Sequence, residues 1–256
     1  MTLISFSMVS MSVVGRYYYY GFDPTYILVI IAAVISLIAQ GMVSSTFSKY
    51  SKVSSMRGIT GAQAAEMILR NNGITDVTIQ HVAGNLTDHY HPTKKTLNLS
   101  DSVYGSSSVA AIGVAAHECG HAIQHAKGYA PLSIRSMLVP VANIGSKLSW
   151  LFIMLGLVFG FGAGIGGGWG QLLINIGIIM FSAAVLFQLV TLPVEFNASS
   201  RALAQIESIG ILTQDETRQS RKVLRAAALT YVAAAASAIL QLLRLIILFG
   251  GRRRND

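Results

Sequence analysis

The stretch TYILVIIAAVISLIAQGMV, residues 25–43, contains 19 consecutive residues without a charged side chain. As an α-helix it would be about 28 Å long, close to the thickness of the hydrocarbon core of a bilayer. Further apolar runs occupy residues 148–165, 172–193 and 229–249, the last interrupted by Arg244. Charged residues make up 12% of the chain, about half the share usual in a soluble domain. The sequence therefore predicts a mainly α, polytopic membrane protein with about four spans.

The basic residues are distributed like the flanks of membrane helices, and no nucleic-acid-binding motif accompanies them. The net charge is +8, and 14 of the 19 lysines and arginines lie in residues 44–147 and 194–228. Four spans place these two segments on the same side of the membrane. Because basic loops favour the cytoplasm, we expect that side to be cytoplasmic. The terminal GGRRRND favours the opposite orientation, a conflict that disappears if residues 229–249 lie in the membrane interface.

The N-terminal segment argues against a removable signal peptide, and the single cysteine excludes an intrachain disulfide. The segment lacks a basic region and a cleavage site typical of a removable signal peptide, and its tyrosines at 17–20 are typical of interfacial anchors. Cys119 has no partner for an intrachain disulfide, and we expect it to be a small packing residue.

Residues 44–147 form the one water-soluble segment large enough for a catalytic unit. A helix is predicted after Gly61 and ends at Gly73, a strand covers 77–82, and two extended pieces flank a turn at 92–95. In the second piece Leu97 and Leu99 would face a core and Asn98 would face outward. A second helix runs from about residue 106 to the glycine at 128. This order predicts a small α+β domain.

The second helix carries AAHECGHAIQHAKGY, residues 115–129, which holds three of the chain's six histidines together with one glutamate. His117 and His121 are four residues apart, so a helix presents both imidazoles to one ion. Zinc prefers such donors, and catalytic zinc keeps three protein ligands and one water. Glu118 flanks the same face and is placed to accept a proton from that water. This pattern predicts a metal-dependent hydrolase that uses zinc.

The third ligand is left open by spacing alone. His125 extends the histidine stripe, but it lies about 12 Å along the helix axis from His117, so a role in lining the cleft is favoured. Glu195, in TLPVEFNASSRAL, follows a span and begins a helical run on the same side of the membrane as the histidines. Gly120 lowers helix propensity, which predicts a close approach by another backbone or side chain.

HECGH, followed by a span and EFNASSRA, resembles the gluzincin membrane proteases, most nearly the YugP-like neutral zinc metallopeptidases of bacteria. LTDHYHPTKKTLNLSDSVY and AIQHAKGYAPL are also similar to that family, and the likeness covers roughly residues 22–225. It implies a zincin-like domain in a bacterial cell membrane, with His117, His121 and Glu195 binding Zn²⁺ and Glu118 as the base. The related HtpX/Ste24-type proteases carry an aspartate where this chain has Ser199, so that carboxylate cannot be carried over.

Other residues could support the reaction. Candidate donors to the developing oxyanion are Arg201, His125, Tyr90, His89 and His91, and the last three could instead form a polar surface turn. Residues 96–100 are predicted as the strand edge that would hold an extended peptide. Gly156 and Gly160 could let two spans approach closely, and Gly162, Gly164 and Gly167 are expected to form a tight turn.

We therefore expect six segments: an N-terminal segment, a transmembrane helix, a catalytic domain with linker, a transmembrane hairpin, a third-ligand helix and loop, and a transmembrane or interfacial helix with a basic tail. They cover residues 1–24, 25–43, 44–147, 148–193, 194–228 and 229–256, respectively. The predicted function is hydrolysis of peptide bonds by Glu-assisted attack of zinc-bound water, with membrane-associated or misfolded proteins as candidate substrates.

There are two alternatives, the first of which belongs to another functional class. A non-catalytic membrane scaffold or chaperone-like adaptor could keep zinc for structure alone, but such a site needs no base at position 118. An intramembrane-cleaving metalloprotease would place its motif within a span and use an aspartate ligand. None of the six aspartates lies within an apolar span, which counts against that alternative.

Overall fold

The computed structural model describes residues 23–161 and 168–250. Six helices and three strands occur within those two stretches. They are α1 Tyr26–Tyr50, α2 Gly61–Asn71, β1 Thr78–Val82, β2 His89–His91, β3 Thr96–Ser100, α3 Val109–Ala126, α4 Ala130–Phe161, α5 Gly168–Ile209 and α6 Gln214–Phe249. The tyrosines at 17–20, the glycines at 162, 164 and 167, and the basic tail lie outside the described residues.

Four of the helices, α1, α4, α5 and α6, are long and apolar enough to cross a membrane. This confirms the predicted polytopic helical architecture, including a fourth candidate span in α6. Helix α5 continues without a break through Pro193, and its 42 residues correspond to about 63 Å. Helices α5 and α6 therefore extend well beyond a bilayer core and carry side chains into the soluble domain.

The four spans pack in the order α4, α5, α6 and α1, each against the next. Helices α4 and α5 approach closely at glycines, since a Cβ added at Gly156 would lie 2.7 Å from the Gly170 carbonyl oxygen. A Cβ at Gly170 would in turn lie 2.7 Å from Gly160 Cα, so the predicted close approach at both glycines is confirmed. Helix α1 packs on α6, where the hydroxyls of Ser36 and Ser237 lie 3.1 Å apart.

The soluble domain begins with α2, whose N-terminus has a capping box. Thr60 accepts a hydrogen bond from the Gln63 amide, and the Gln63 side chain accepts one from the Thr60 amide. The apolar face of α2 buries Ile68 and Leu69 against α3. Gly73 ends the helix with φ +68°, a conformation that costs glycine little. The helix predicted from Gly61 to Gly73 is confirmed.

The three strands form one sheet in the order β1–β3–β2, with β1 parallel and β2 antiparallel to β3. The central strand is Thr96–Ser100, so the prediction that it forms a free edge is wrong. Both of its edges are already paired, and β2 is the edge strand that contacts α3. Residue patterns identify strands, but which strand lies in the middle depends on pairing between distant segments.

The prediction that Asn98 faces outward to solvent is also wrong. Leu97 and Leu99 are fully buried as expected, but Asn98 is only 6% exposed. Its amide lies 3.1 Å from His89 Nε2 on β2. The opposite face of the sheet is thus partly covered by side chains of its own edge strand, which gives the amide a partner.

Helix α3 lies at the centre of the domain and is buried along most of its length. Ser108 caps its N-terminus by accepting a hydrogen bond from the Ala111 amide, and Gly128 follows its end with φ +61°. Cys119 is fully buried and directs its sulfur toward the Ala65 carbonyl, as expected for a packing residue. Burial raises the pKa of its thiol well above the ordinary value.

Candidate metal centre

Helix α3 presents two histidines side by side. The ring centroids of His117 and His121 are 4.8 Å apart, and the rings are nearly perpendicular. One turn of helix separates the residues, so their Nε2 atoms reach the same point beyond the helix surface. Both side chains are largely shielded from solvent.

Helix α5 brings a carboxylate to the same point. Glu195 Oε2 lies 3.3 Å from His117 Nε2 and 3.5 Å from His121 Nε2, and the Glu195 side chain is 2% exposed. The close approach predicted from Gly120 occurs here, since a Cβ at Gly120 would lie 2.4 Å from the Ala198 carbonyl oxygen. The absence of a side chain at Gly120 therefore lets α5 pack directly on α3 and places Glu195 opposite the histidines.

Each histidine is held through its other ring nitrogen. His117 Nδ1 shares a hydrogen bond of 3.1 Å with the Ser199 hydroxyl. His121 Nδ1 donates to Gln124 Oε1 at 3.1 Å, while the Gln124 amide donates to the Val194 carbonyl on α5. Such bonds fix the ring orientation and leave Nε2 free to bind a metal. Sequence reasoning missed Gln124, although its position three residues after His121 places it on the same helix face.

The three side chains fit a zinc ion. One potential ligand atom from each of His117, His121 and Glu195 lies within 4.8 Å of the others. Glu195 Oε2 is buried and has no hydrogen-bond partner among the described residues, which is costly for a carboxylate oxygen unless a cation binds it. Two imidazoles and a carboxylate are donors that zinc accepts in catalytic sites.

Protons compete with a metal at this site. Burial alone would lower the pKa of His121, but the carboxylates of Glu195 and Glu118 and the Gln124 contact raise it above its ordinary value. The imidazole therefore holds a proton more tightly than an isolated histidine does. Metal binding has to displace that proton, so the affinity of the site for a metal ion is expected to decrease as the pH decreases.

Glu118 borders the same space without joining the metal-ligand group. It is 8% exposed, and its Oε2 accepts a hydrogen bond of 2.9 Å from the Tyr90 amide on edge strand β2. The contact links β2 to the middle of α3. A carboxylate beside the potential ligands, but outside their cluster, is placed to exchange protons with a water molecule in the cleft.

A cleft of about 360 Å³ opens in front of the carboxylates. Sequence reasoning missed two of its polar residues, Arg135 and Tyr231. Arg135 Nη2 lies 3.5 Å from Glu195 Oε1, and Arg135 Nε is buried without a partner among the described residues. Both residues lie on long helices, where local pattern gives no signal that they point to the site.

The remaining predicted residues divide into two groups. Tyr90 and His89 line the cleft, and the Tyr90 hydroxyl lies 2.8 Å from His125 Nδ1. His125 lines a neighbouring cavity of about 340 Å³. His91 instead accepts a hydrogen bond from the Lys94 amide in the β2–β3 turn. Arg201 donates to Asn197 and lies over the Tyr129 ring, so the structure does not bring it into the cleft.

Residues 25–250 match the family described as "Putative neutral zinc metallopeptidase". The chain is also 48% identical over 229 residues to the "Putative membrane protease YugP" of Bacillus subtilis (strain 168). That similarity covers 89% of this chain and 98% of the relative. No solved structure matches the chain.

Proposed function

The chain belongs to the neutral zinc metallopeptidase family, and from this premise and the site geometry we propose that it is a membrane-bound zinc endopeptidase of the HExxH, gluzincin type. Family membership implies zinc as the cofactor and peptides or proteins as substrates. The four long apolar helices support a membrane location. The observation that carries the proposal is the buried Glu195 oxygen, which faces both histidine Nε2 atoms and has no hydrogen-bond partner among the described residues.

In this proposal His117, His121 and Glu195 hold the zinc ion, and Ser199 and Gln124 orient the histidines. When bound, zinc lowers the pKa of water toward neutrality and polarises a carbonyl group. Ser199 on α5 shares a hydrogen bond with His117 on α3. Gln124 on α3 donates a hydrogen bond to the Val194 carbonyl on α5. They therefore link the position of the third ligand to the orientation of the first two.

Glu118 is proposed as the general base and acid. Its carboxylate takes the proton of the attacking water and passes it to the nitrogen of the leaving amine. The hydrogen bond from the Tyr90 amide keeps Oε2 at the wall of the cleft. Arg135 and the Tyr231 hydroxyl are proposed donors to the negative charge that develops on the carbonyl oxygen, because both line the same cleft.

Edge strand β2 is the proposed binding surface for an extended substrate. It replaces residues 96–100 in this role, because β3 is paired on both sides and β2 borders the cleft. A peptide that adds to this edge would gain main-chain hydrogen bonds and pass in front of Glu118.

The experiment compares Glu118→Gln with the wild type in detergent, measuring zinc per chain and cleavage of an unfolded protein. We expect about one zinc in both proteins and a loss of activity of about 10²–10⁴-fold in the variant, the typical contribution of a positioned base. Glu66→Gln is the matched control, since Glu66 lies on α2 in an exposed pair with Arg70.

Unchanged cleavage in Glu118→Gln would remove Glu118 as the base. Zinc binding without cleavage in the wild type, across soluble and membrane-bound substrates, would instead support the scaffold or chaperone-like adaptor. Cleavage of soluble unfolded substrates with membrane proteins left intact in every lipid tested would exclude membrane-associated proteins as the substrate class.

A further inference from the structure

A second groove lies between α5 and α6, outside the metal centre. Its volume is about 420 Å³. Each wall is formed by side chains three or four residues apart on one helix, which therefore share a face of that helix. The groove residues are Phe196, Ser199, Ser200 and Leu203 on α5 and Arg221, Leu224, Arg225, Ala228 and Leu229 on α6. Leu224 and Ala228 are buried and form the floor.

One end of the groove is apolar and lies at the level where the spans end. Phe196 and Leu229 are 47% and 39% exposed. Phe196 follows three residues after Pro193, which ends the apolar run of α5, and Leu229 begins the apolar run of α6. Both side chains therefore lie at the boundary between hydrocarbon and headgroups.

The other end of the groove is positively charged. Arg225 and Arg221 lie one and two turns beyond Leu229, about 6 and 12 Å along the axis away from the membrane. Arg221 pairs with Glu207 at 2.9 Å. Arg225 is exposed, and no carboxylate of the described residues lies within ion-pair distance of it.

We propose that this groove binds an anionic phospholipid. The headgroup phosphate lies at Arg225, with Arg221 and the Ser200 hydroxyl beside it, and the first part of an acyl chain lies between Phe196 and Leu229. Arginine suits phosphate because its planar fork donates two hydrogen bonds at once. The distance from Leu229 to Arg225 corresponds to the step from the acyl region to the headgroup phosphate of a lipid in the adjoining leaflet.

Charge complementarity favours a lipid over a partner helix in this groove. An apolar transmembrane helix seated there would cover Arg225 without offering it a counter-charge, which is unfavourable. An anionic lipid supplies both the apolar chain and the phosphate. The lipid would also lie next to Ser199, whose hydroxyl bonds to His117, so the groove and the metal centre share one wall.

The test is native mass spectrometry of the full-length protein in detergent, titrated with phosphatidylglycerol. We expect Arg225→Gln to weaken phosphatidylglycerol binding at least about 10-fold. Lys222→Gln should leave it unchanged, since Lys222 is an exposed cation on the same helix that does not line the groove. Leu229→Asn should also weaken binding, and phosphatidylcholine with the same chains should bind the wild type at least about 10-fold less tightly.

Four outcomes would overturn the proposal. Equal losses in Arg225→Gln and Lys222→Gln would indicate diffuse surface attraction. Equal binding of phosphatidylcholine would indicate an apolar groove without headgroup recognition. Complete displacement of the lipid by glycerol 3-phosphate would indicate a site for free phosphate. A dimer or heteromeric complex that dissociates in Leu229→Asn, with lipid binding unchanged, would indicate a partner helix in the groove.

Discussion

At the scale of single residues, the metal centre depends on Glu195. This carboxylate is the one proposed ligand from outside α3, and it is almost completely buried. We predict that detergent-purified Glu195→Ala contains far less zinc than the wild type, which should carry about one ion per chain. Glu207→Ala is the matched control, because Glu207 lies on the same helix with its side chain 55% exposed. Full zinc content in Glu195→Ala would point to His125 or to residues 88–91 as the source of the third ligand.

The hydrogen bonds at Nδ1 of His117 and His121 lead to a separate prediction about zinc affinity. Ser199→Ala should lower zinc affinity about 10- to 100-fold, the usual effect of removing a group that orients a histidine ligand. Ser200→Ala should have no effect, because the Ser200 hydroxyl bonds only to the Phe196 carbonyl within its own helix. Competition with a chelator measures both affinities. Equal affinities for the two variants would show that Ser199 does not orient His117.

The raised pKa of His121 predicts how zinc binding depends on pH. A raised pKa means that the imidazole is protonated at a higher pH than an ordinary histidine, whose pKa is about 6.5. Zinc binds the neutral ring, so the apparent zinc affinity should fall as the pH is lowered, and the fall should begin at a higher pH than for a site with an ordinary histidine. Dialysis at a series of pH values followed by metal analysis tests this. An apparent zinc affinity that does not change as the pH falls would contradict the prediction.

At the scale of secondary-structure elements, the contact between α3 and α5 places the ligands. Gly120→Ala would put a methyl group 2.4 Å from the Ala198 carbonyl oxygen, so α5 has to move away from α3. We expect a destabilisation of about 1–3 kcal/mol, as for other overpacked sites, together with weaker zinc binding. Thermal unfolding and zinc content measure the two effects.

Gly105→Ala is the matched control for this contact. A Cβ at Gly105 meets no atom within 4 Å, so the substitution should leave both zinc content and the unfolding temperature unchanged. Wild-type zinc binding in Gly120→Ala would show that the approach of the two helices is not needed to position Glu195.

The elements themselves were largely predictable from local patterns. Periodic apolar residues and glycine stops indicated α2 and α3, and alternation with a turn indicated the strands. The position of Thr96–Ser100 at the centre of the sheet was not predictable. Central and edge strands of such length have similar residue types, and the order of strands is decided by packing against α3 and by the parallel pairing of β1 with β3.

At the scale of the whole molecule, the four candidate spans predict the arrangement of the segments across the membrane. Cys119 is completely buried, so introduced cysteines can be labelled with little background. We expect Lys94→Cys and Arg218→Cys to share one side and Gly168→Cys to lie on the other. With the catalytic side in the cytoplasm, an impermeant maleimide should label only Gly168→Cys in intact cells.

Two results of this labelling would change the topology. Labelling of Lys94→Cys and Arg218→Cys in intact cells, with protection of Gly168→Cys, would keep the four spans and reverse the orientation. Different sides for Lys94→Cys and Arg218→Cys would exclude the arrangement in which the soluble domain and the outer part of α6 meet. Their contact across the Met56–Glu216 hydrogen bond requires that they share one side.

The sequence alone determined the class of the protein and half of its candidate site. Apolar runs of about 20 residues can satisfy their backbone groups in lipid only as helices, so the spans followed from composition. His117, Glu118 and His121 followed from helical spacing, because residues one turn apart share a face whatever surrounds them. Glu195 was added by its place after a span and by family resemblance.

Tertiary structure decided what those residues touch. Glu195 reaches the histidines because Gly120 admits α5, and Gln124, Ser199 and Arg135 take their positions around the site from the same packing. These contacts join residues that are 60 to 82 positions apart in the chain, from the Arg135–Glu195 pair to the His117–Ser199 pair. Periodicity fixes which face of a helix a side chain occupies, whereas the neighbour opposite that face depends on how all the helices pack together.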